Sequence, residues 1–209
     1  MKVIVFGATG QIGRHVTQRA LDVRHEVTAF ARNPQTLDIT DEALSLHAGD
    51  AYDPRQVADA IAGHDAAIIT LGTGRSRKNT LRSVGTRNVI TAMHQHGVKR
   101  LVCQTTLGCQ ETWGQLNFYW KRIMFGAVLR PIFNDHEEQE RLTQASGLDW
   151  TIVRPSAFTD EPGNGELLIG FPPTASGLRF TVAKRELASC LVDQVDDRTH
   201  IGEALSISR

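Results

Sequence analysis

Apolar residues follow two alternating rhythms along the chain. Short unbroken runs rich in β-branched residues recur at 2–6 (KVIVF), 25–30, 44–48, 66–70, 99–104 and 149–154. Runs of this length without polar alternation read as strands buried on both faces, as in a parallel sheet. Between them lie stretches of helical period. Residues 14–21 continue a face begun by Ile12, with Val16 and Ala20 beneath it. A helix over 54–61 has Asp53 as its N-cap and Pro54 at its first position. Residues 80–96 form another, closed by Gly97, and 135–146 a fourth, ended by Gly147. Past a stretch rich in glycine and proline, the pattern predicts a strand at 178–182, a helix at 184–193 and a last strand at 204–208. Only 107–128 shows no readable period. Strand and helix alternating six times predicts one α/β domain over residues 1–209, a doubly wound parallel sheet with helices on both faces.

The first strand leads straight into Gly7, Gly10 and Gly13, spaced G-x-x-G-x-x-G, and these open the first helix. Strand, glycine turn and helix in that order are the context of a Rossmann-type dinucleotide fingerprint. The glycines allow a tight turn and close approach of backbone to a pyrophosphate, and the helix N-terminus offers free N–H groups and a positive dipole end. An NAD site would carry an acidic residue at the end of the second strand. Glu26 lies at the start of that strand instead. Arg32 stands at its end, 19 residues after Gly13. A guanidinium there suits a 2′-phosphate, which predicts NADPH over NADH. The alternative is an ordinary exposed cation, and Arg14 is a second candidate for the same phosphate. Asp50 and Ala51, after the third strand, fit both an adenine contact and a plain turn. Gly72 and Gly74 after the fourth strand let the backbone lie close to the same ligand.

Composition narrows the function classes. With 41% hydrophobic and 22% charged residues the chain is globular, and 23 basic against 23 acidic residues leave no bulk charge to attract nucleic acid. Arg75, Arg77, Lys78 and Arg82 form the densest basic cluster, which fits a phosphate-bearing ligand as well as a solvated loop. Cys103, Cys109 and Cys190 contain no C-x-x-C pair and suggest neither disulfides nor zinc. The absence of a secretory leader or a long apolar run predicts a soluble, cytoplasmic protein with no membrane partner.

The stretches GATGQIG at 7–13, GD at 49–50, LGT at 71–73, GTRNVITAMHQHGVKRLV at 85–102 and SGLDWTIVRPSAFTD at 146–160 resemble the atypical short-chain dehydrogenase/reductase family, in its NAD(P)H-binding branch. The likeness spans nearly the whole chain and fades across about 107–134. It implies a monomer or weak homodimer that reduces a small-molecule acceptor (flavin, bilin or quinone) with NADPH. Carried over by position, Gly7, Thr9, Gly10, Gln11 and Ile12 would wrap the pyrophosphate. Arg32 would hold the 2′-phosphate, and Asp50 and Ala51 the adenine. Leu71, Gly72 and Thr73 would line the ribose and nicotinamide, with Pro155, Ser156, Ala157 and Phe158 near the carboxamide. Thr105 and Thr106 would sit at the acceptor. Two positions depart from the flavin and bilin reductases of the branch, which have serine where Thr106 stands and histidine where Ala157 stands.

The chemistry is constrained by what is missing. Alcohol-oxidising members use a Tyr-x-x-x-Lys pair, whereas Tyr52 is followed four on by Gln56 and Tyr119 by Ile123. A conjugated acceptor needs no such relay, because placing it over the nicotinamide supplies most of the catalysis. A threonine hydroxyl is a poor general acid, so Thr106 is expected to position the acceptor. Acidic residues at 135–140 read as a dipole-favoured helix start, with no metal site. Trp113, Phe118, Tyr119, Trp120, Met124 and Phe125 crowd into the unreadable stretch, as a lid, a pocket wall, a satellite core or a dimer face. Two function classes fit: a reductase, or an NADP(H)-reading sensor of the same fold without turnover. An open apolar pocket beside Thr106 favours the first, and one plugged by Trp113, Phe118 or Trp120 the second.

Overall fold

The computed structural model describes residues 1–72, 80–116, 118–163, 167–172, 175 and 178–209. Its order is β1 (Lys2–Phe6), α1 (Gly13–Asp22), β2 (Glu26–Ala31), β3 (Leu44–Ala48), α2 (Pro54–Ile61), β4 (Ala66–Ile69), α3 (Leu81–His96), β5 (Arg100–Gln104), α4 (Arg130–Gln144), β6 (Asp149–Pro155), β7 (Ala157–Thr159), β8 (Leu168–Ile169), β9 (Thr181–Ala183), α5 (Lys184–Asp196) and β10 (Glu203–Ser208). One eight-stranded sheet runs β3-β2-β1-β4-β5-β6-β10-β8, and all its pairs are parallel except β10 with β8. This is the doubly wound Rossmann-type α/β fold. Its chain reverses direction across the sheet between β1 and β4, the crevice where such sheets bind ligands.

The unbroken apolar runs are explained by burial on both sides. Val3, Val5, Val27, Ile68, Val102 and Val153 meet α1 and α5 through Val16, Ala20, Leu187 and Leu191. Ile4, Phe6, Ile69, Leu101 and Ile152 face the other way, toward Val57 and Ile61 of α2 and Val89 and Met93 of α3. Local signals set the helix ends. The Asp53 carboxylate accepts from Arg55 N and Gln56 N, and Gly97 closes α3 at φ +72°.

Three elements differ from their sequence reading. The helix expected from Asp135 begins at Arg130, with Pro131 in its first turn. Its acidic residues are therefore mid-helix, and Asp135 and Glu140 are buried rather than set against the dipole. The strand expected at 178–182 shrinks to β9, because Phe180 takes a left-handed φ of +54°. It pairs with β7 in a separate two-stranded sheet. Within 107–128, a 3-10 segment over Gln110–Gln115 is followed by a π-helical one over Tyr119–Val128. Leu107 and Leu116 there form a satellite core with Leu129, Phe133, Phe171 and Phe180.

A buried ion pair locks α4 to the sheet. Arg154 on β6 and Glu140 on α4 both have fully buried side chains, 2.7 Å apart. Arg154 Nε also donates to Glu140 Oε1 at 3.0 Å, and Nη1 donates to Glu111 of the 3-10 segment. Thr105 Oγ1, just past β5, donates to Glu140 Oε1 at 2.6 Å. Burial pushes the Arg154 guanidinium toward its neutral form, and its bonds to Glu140 and Glu111 outweigh that and raise its pKa.

Two stability outcomes follow from this packing. Ile68→Ala, in a fully buried central strand, is expected to cost about 2–5 kcal/mol. Glu140→Ala, which strands the Arg154 charge, is expected to cost about 3–5 kcal/mol, with Glu140→Gln milder. Urea denaturation midpoints measure both. A Glu140→Ala midpoint equal to wild type would contradict the role given to the pair.

Candidate cofactor and acceptor cleft

Register sets the first wall of the site. Phe6 pairs with Ile69, which brings Gly7 alongside Thr70. Thr70 N and Oγ1 both donate to Phe6 O, at 2.9 and 3.1 Å. Gly7 turns there at φ +87°, and a Cβ would stand 2.7 Å from Thr70 O. A Cβ on Gly13 would overlap the Gly7 carbonyl oxygen. These glycines are steric requirements of the turn, independent of any ligand. Gly72 is different: a Cβ there would meet nothing, so its backbone borders open space. Helix α1 has Ile12 as its N-cap, with no side-chain cap. The cradle therefore fits a pyrophosphate, with close backbone and an uncapped helix N-terminus.

A cleft of about 1020 Å³ runs along the C-terminal edge of the sheet. It brings together Gly7, Thr9, Gly10, Gln11 and Ile12, then Arg32, Asp50, Ala51, Leu71 and Gly72, then Thr105, Thr106 and Pro155 to Phe158. Thr73 lies outside the described residues, as do Arg75, Arg77 and Lys78. Arg32 is exposed at the end of β2 and makes no ion pair among the described residues. Glu26 lies at the far end of β2, 3.9 Å from Lys2 Nζ, and does not border the cleft. Arg14 does border it, and its guanidinium donates to Thr9 O at 3.3 Å, bracing the glycine loop. Asp50 is a turn residue that also borders the cleft, its Oδ1 accepting from Tyr52 N at 3.0 Å.

The two threonines divide. The Thr105 hydroxyl is turned to Glu140 and is not available to an acceptor. Thr106 is half-buried, and among the described residues its hydroxyl reaches only Leu107 O, at 3.4 Å. The wall beyond it is apolar: Leu107, Leu116, Leu129, Ile132 and Phe180. Trp113 and Phe118 are not part of it. Trp113 packs against Phe133 at a tilt, ring centroids 5.3 Å apart and planes at 55°, in a separate surface groove, and Phe118 is 72% exposed. The side chains of Trp120 and Phe125 lie outside those described. Neither tyrosine borders the cleft.

The sequence assigns His136 no place in this cleft and leaves Arg82 open between a phosphate-bearing ligand and a solvated loop; both border the cleft. The Arg82 side chain is only 11% exposed, which disfavours the solvated-loop alternative for it. Burial, then the neighbouring Arg82 charge, holds the His136 imidazole well below its ordinary pKa, so it is neutral. No local signal marks the burial of either one, since it depends on how α3 meets α4. Among the described residues no cluster suits a metal ion, and no helix is long and apolar enough to cross a membrane.

Comparison with known proteins agrees with this architecture. An uncharacterized sugar epimerase, YhfK of Bacillus subtilis (strain 168), is 26% identical, the match covering all of this chain and 94% of that protein. The fold superposes on a short-chain dehydrogenase/reductase from Veillonella parvula DSM 2008 in complex with NADP, with TM-score 0.83 and 14% identity over 100% of this chain and 94% of the other. It also superposes on ChuY, an anaerobillin reductase from Escherichia coli O157:H7, with TM-score 0.79 and 23% identity over 99% and 96%. A family model described as NAD(P)H-binding matches residues 7–198. The glycine cradle and the family match agree, and the chain belongs to the NAD(P)H-binding family.

Proposed function

We propose that this protein is an NADPH-dependent reductase whose acceptor is a flat conjugated molecule of the flavin, bilin or quinone class. The observation that carries the reading is the continuity of the cleft. It leads from the glycine loop and Arg32 to an apolar wall beside Thr106, and neither Trp113 nor Phe118 blocks it. The NADP complex of the Veillonella neighbour and the reductase activity named for ChuY support the same reading.

Bound in the cleft, the nicotinamide cofactor supplies two electrons and a hydrogen to the acceptor. The backbone of Gly7, Thr9, Gly10, Gln11 and Ile12 takes the pyrophosphate at the N-terminus of α1. Arg32 pairs with the 2′-phosphate, and Asp50 and Ala51 flank the adenine. Leu71 and Gly72 lie along the ribose, and Pro155 to Phe158 along the carboxamide. Thr106 presents a hydroxyl to the acceptor and orients it. Thr105 acts at one remove, holding the end of β5 against Glu140. With no tyrosine in the cleft, the chain contributes proximity and exclusion of water rather than an acid relay. The final proton on the acceptor comes from solvent.

The test is oxidation of NADPH and NADH by the purified protein with FMN, riboflavin, menadione and biliverdin offered in turn. Turnover with NADPH and at least one acceptor is expected. Arg32→Ala should weaken NADPH about tenfold, the worth of about 1.4 kcal/mol, and change NADH about twofold or less. Tight NADPH binding without turnover on any acceptor would overturn the reductase reading in favour of a redox sensor.

A further inference from the structure

Arg82 opens α3 and borders the cleft with its side chain almost wholly buried. A guanidinium carries five N–H donors and needs acceptors for them when removed from water. Here Nε and Nη1 have no hydrogen-bond acceptor among the described residues. The ionic partner is Asp135, whose Oδ2 is 3.8 Å from Nη1, beyond hydrogen-bond range. Both Asp135 oxygens are already occupied. Oδ2 accepts from Arg82 N at 3.1 Å, and Oδ1 from Ser83 N at 3.0 Å and Ser83 Oγ at 2.6 Å. Asp135 thus caps α3 from the neighbouring helix and leaves most of the guanidinium unmatched.

His136 is the next residue along α4. It is 8% exposed, borders the same cleft, and its Nδ1 has no hydrogen-bond partner among the described residues. Being neutral, it adds no repulsion to Arg82 and offers a donor or an acceptor according to tautomer. Two buried polar groups on adjacent helices therefore meet one cavity, and among the described residues Arg82 Nε and Nη1 and His136 Nδ1 have no hydrogen-bond partner. Their surroundings are apolar, with Leu81, Leu129 and Ile132 alongside. They follow β4 and precede β6, on the opposite side of the β1–β4 crevice from Arg32. The anionic groups of the dinucleotide fall on the other side, at the glycine loop and Arg32.

We infer that Arg82 and His136 form an anion-recognition point at the acceptor end of the cleft, and that the acceptor is a flat apolar molecule bearing a carboxylate or phosphate. The inference rests on the reductase reading for the word acceptor, and its test is a binding ratio that needs no turnover. A neutral acceptor would leave the Arg82 charge facing an apolar ligand, so discrimination against it comes from an unmatched buried cation.

The experiment titrates NADP-loaded protein with two pairs of probes: biliverdin against its dimethyl ester, and FMN against riboflavin. Wild type is expected to prefer the charged member of at least one pair by about tenfold or more. Discrimination in the first pair alone assigns a carboxylate, and in the second alone a phosphate. Arg82→Gln should bring that ratio close to one, Arg82→Lys should retain part of it, and His136→Leu should lower it by less than Arg82→Gln does. Absence of discrimination in both pairs overturns the inference, as does a ratio that survives Arg82→Gln. Should Arg82→Gln fail to fold, the wild-type ratios and Arg82→Lys decide the matter. Failure of the reductase reading shows separately, as wild type that oxidises no NADPH with any acceptor while the binding ratio stands.

Discussion

A fully buried arginine must be matched where it stands, because removing a guanidinium from water costs more than packing returns unless a carboxylate meets it at bonding distance. Arg154 sits within β6, covered on both faces of the sheet. Glu140 supplies the carboxylate, so α4 docks with that turn against the ends of β5 and β6. The same carboxylate receives Thr105, and Glu111 draws the 3-10 segment to the other side of the guanidinium. Much of the wall at the acceptor end follows from this pairing. The seam between α3 and α4 is polar for the same reason, with Asp135 on Ser83 and Gln139 on Thr86.

The opposite end of the cleft is shaped by missing side chains rather than by charge. Gly7 and Gly13 let two turns of backbone pass where a single methyl group would collide. Gly49 lets the Phe30 ring lie flat against the chain, and Gly85 admits Leu71. The two ends are different kinds of structure. One is a backbone cradle of the kind that suits a phosphate at a helix N-terminus. The other is an apolar wall bordered by buried polar groups, the kind of surface suited to recognising shape and charge. The crevice between β1 and β4 joins them into one cavity.

Most of the fold was legible because its signals are local. β1 and β4 announce burial on two faces by lacking polar alternation, and Asp53, Gly97 and Gly147 mark helix ends through chemistry that acts within a few residues. The grouping of the proposed cofactor residues along one cleft was legible too, since the glycine spacing, Arg32 and the turn at Asp50 all lie at strand ends and the parallel register gathers them. The helix α4 was misjudged at its start. Its buried face is Asp135, His136, Gln139, Glu140 and Thr143, a set whose polarity reads as solvent-facing. The burial of Arg82 is hidden in the same way, since it stands as a basic residue beside other basic residues. For Trp113 the sequence leaves a lid, a pocket wall, a satellite core and a dimer face open, and the structure sets it outside the cleft, tilted against Phe133.

The sequence by itself determined the element order, the parallel sheet, the glycine cradle and the cation at the end of β2. Each of these depends on periodicity or on sterics between near neighbours in the chain. Only the tertiary structure decided which polar groups leave water. Arg154 meets Glu140 across 14 residues and Glu111 across 43, and Asp135 caps a helix that begins more than 50 residues earlier. Whether a charge is solvated, paired or left facing a cavity is a property of what packs around it. That is why the cofactor end could be read along the chain, while the polar groups of the acceptor end appeared only once α3, α4 and β6 had been brought together.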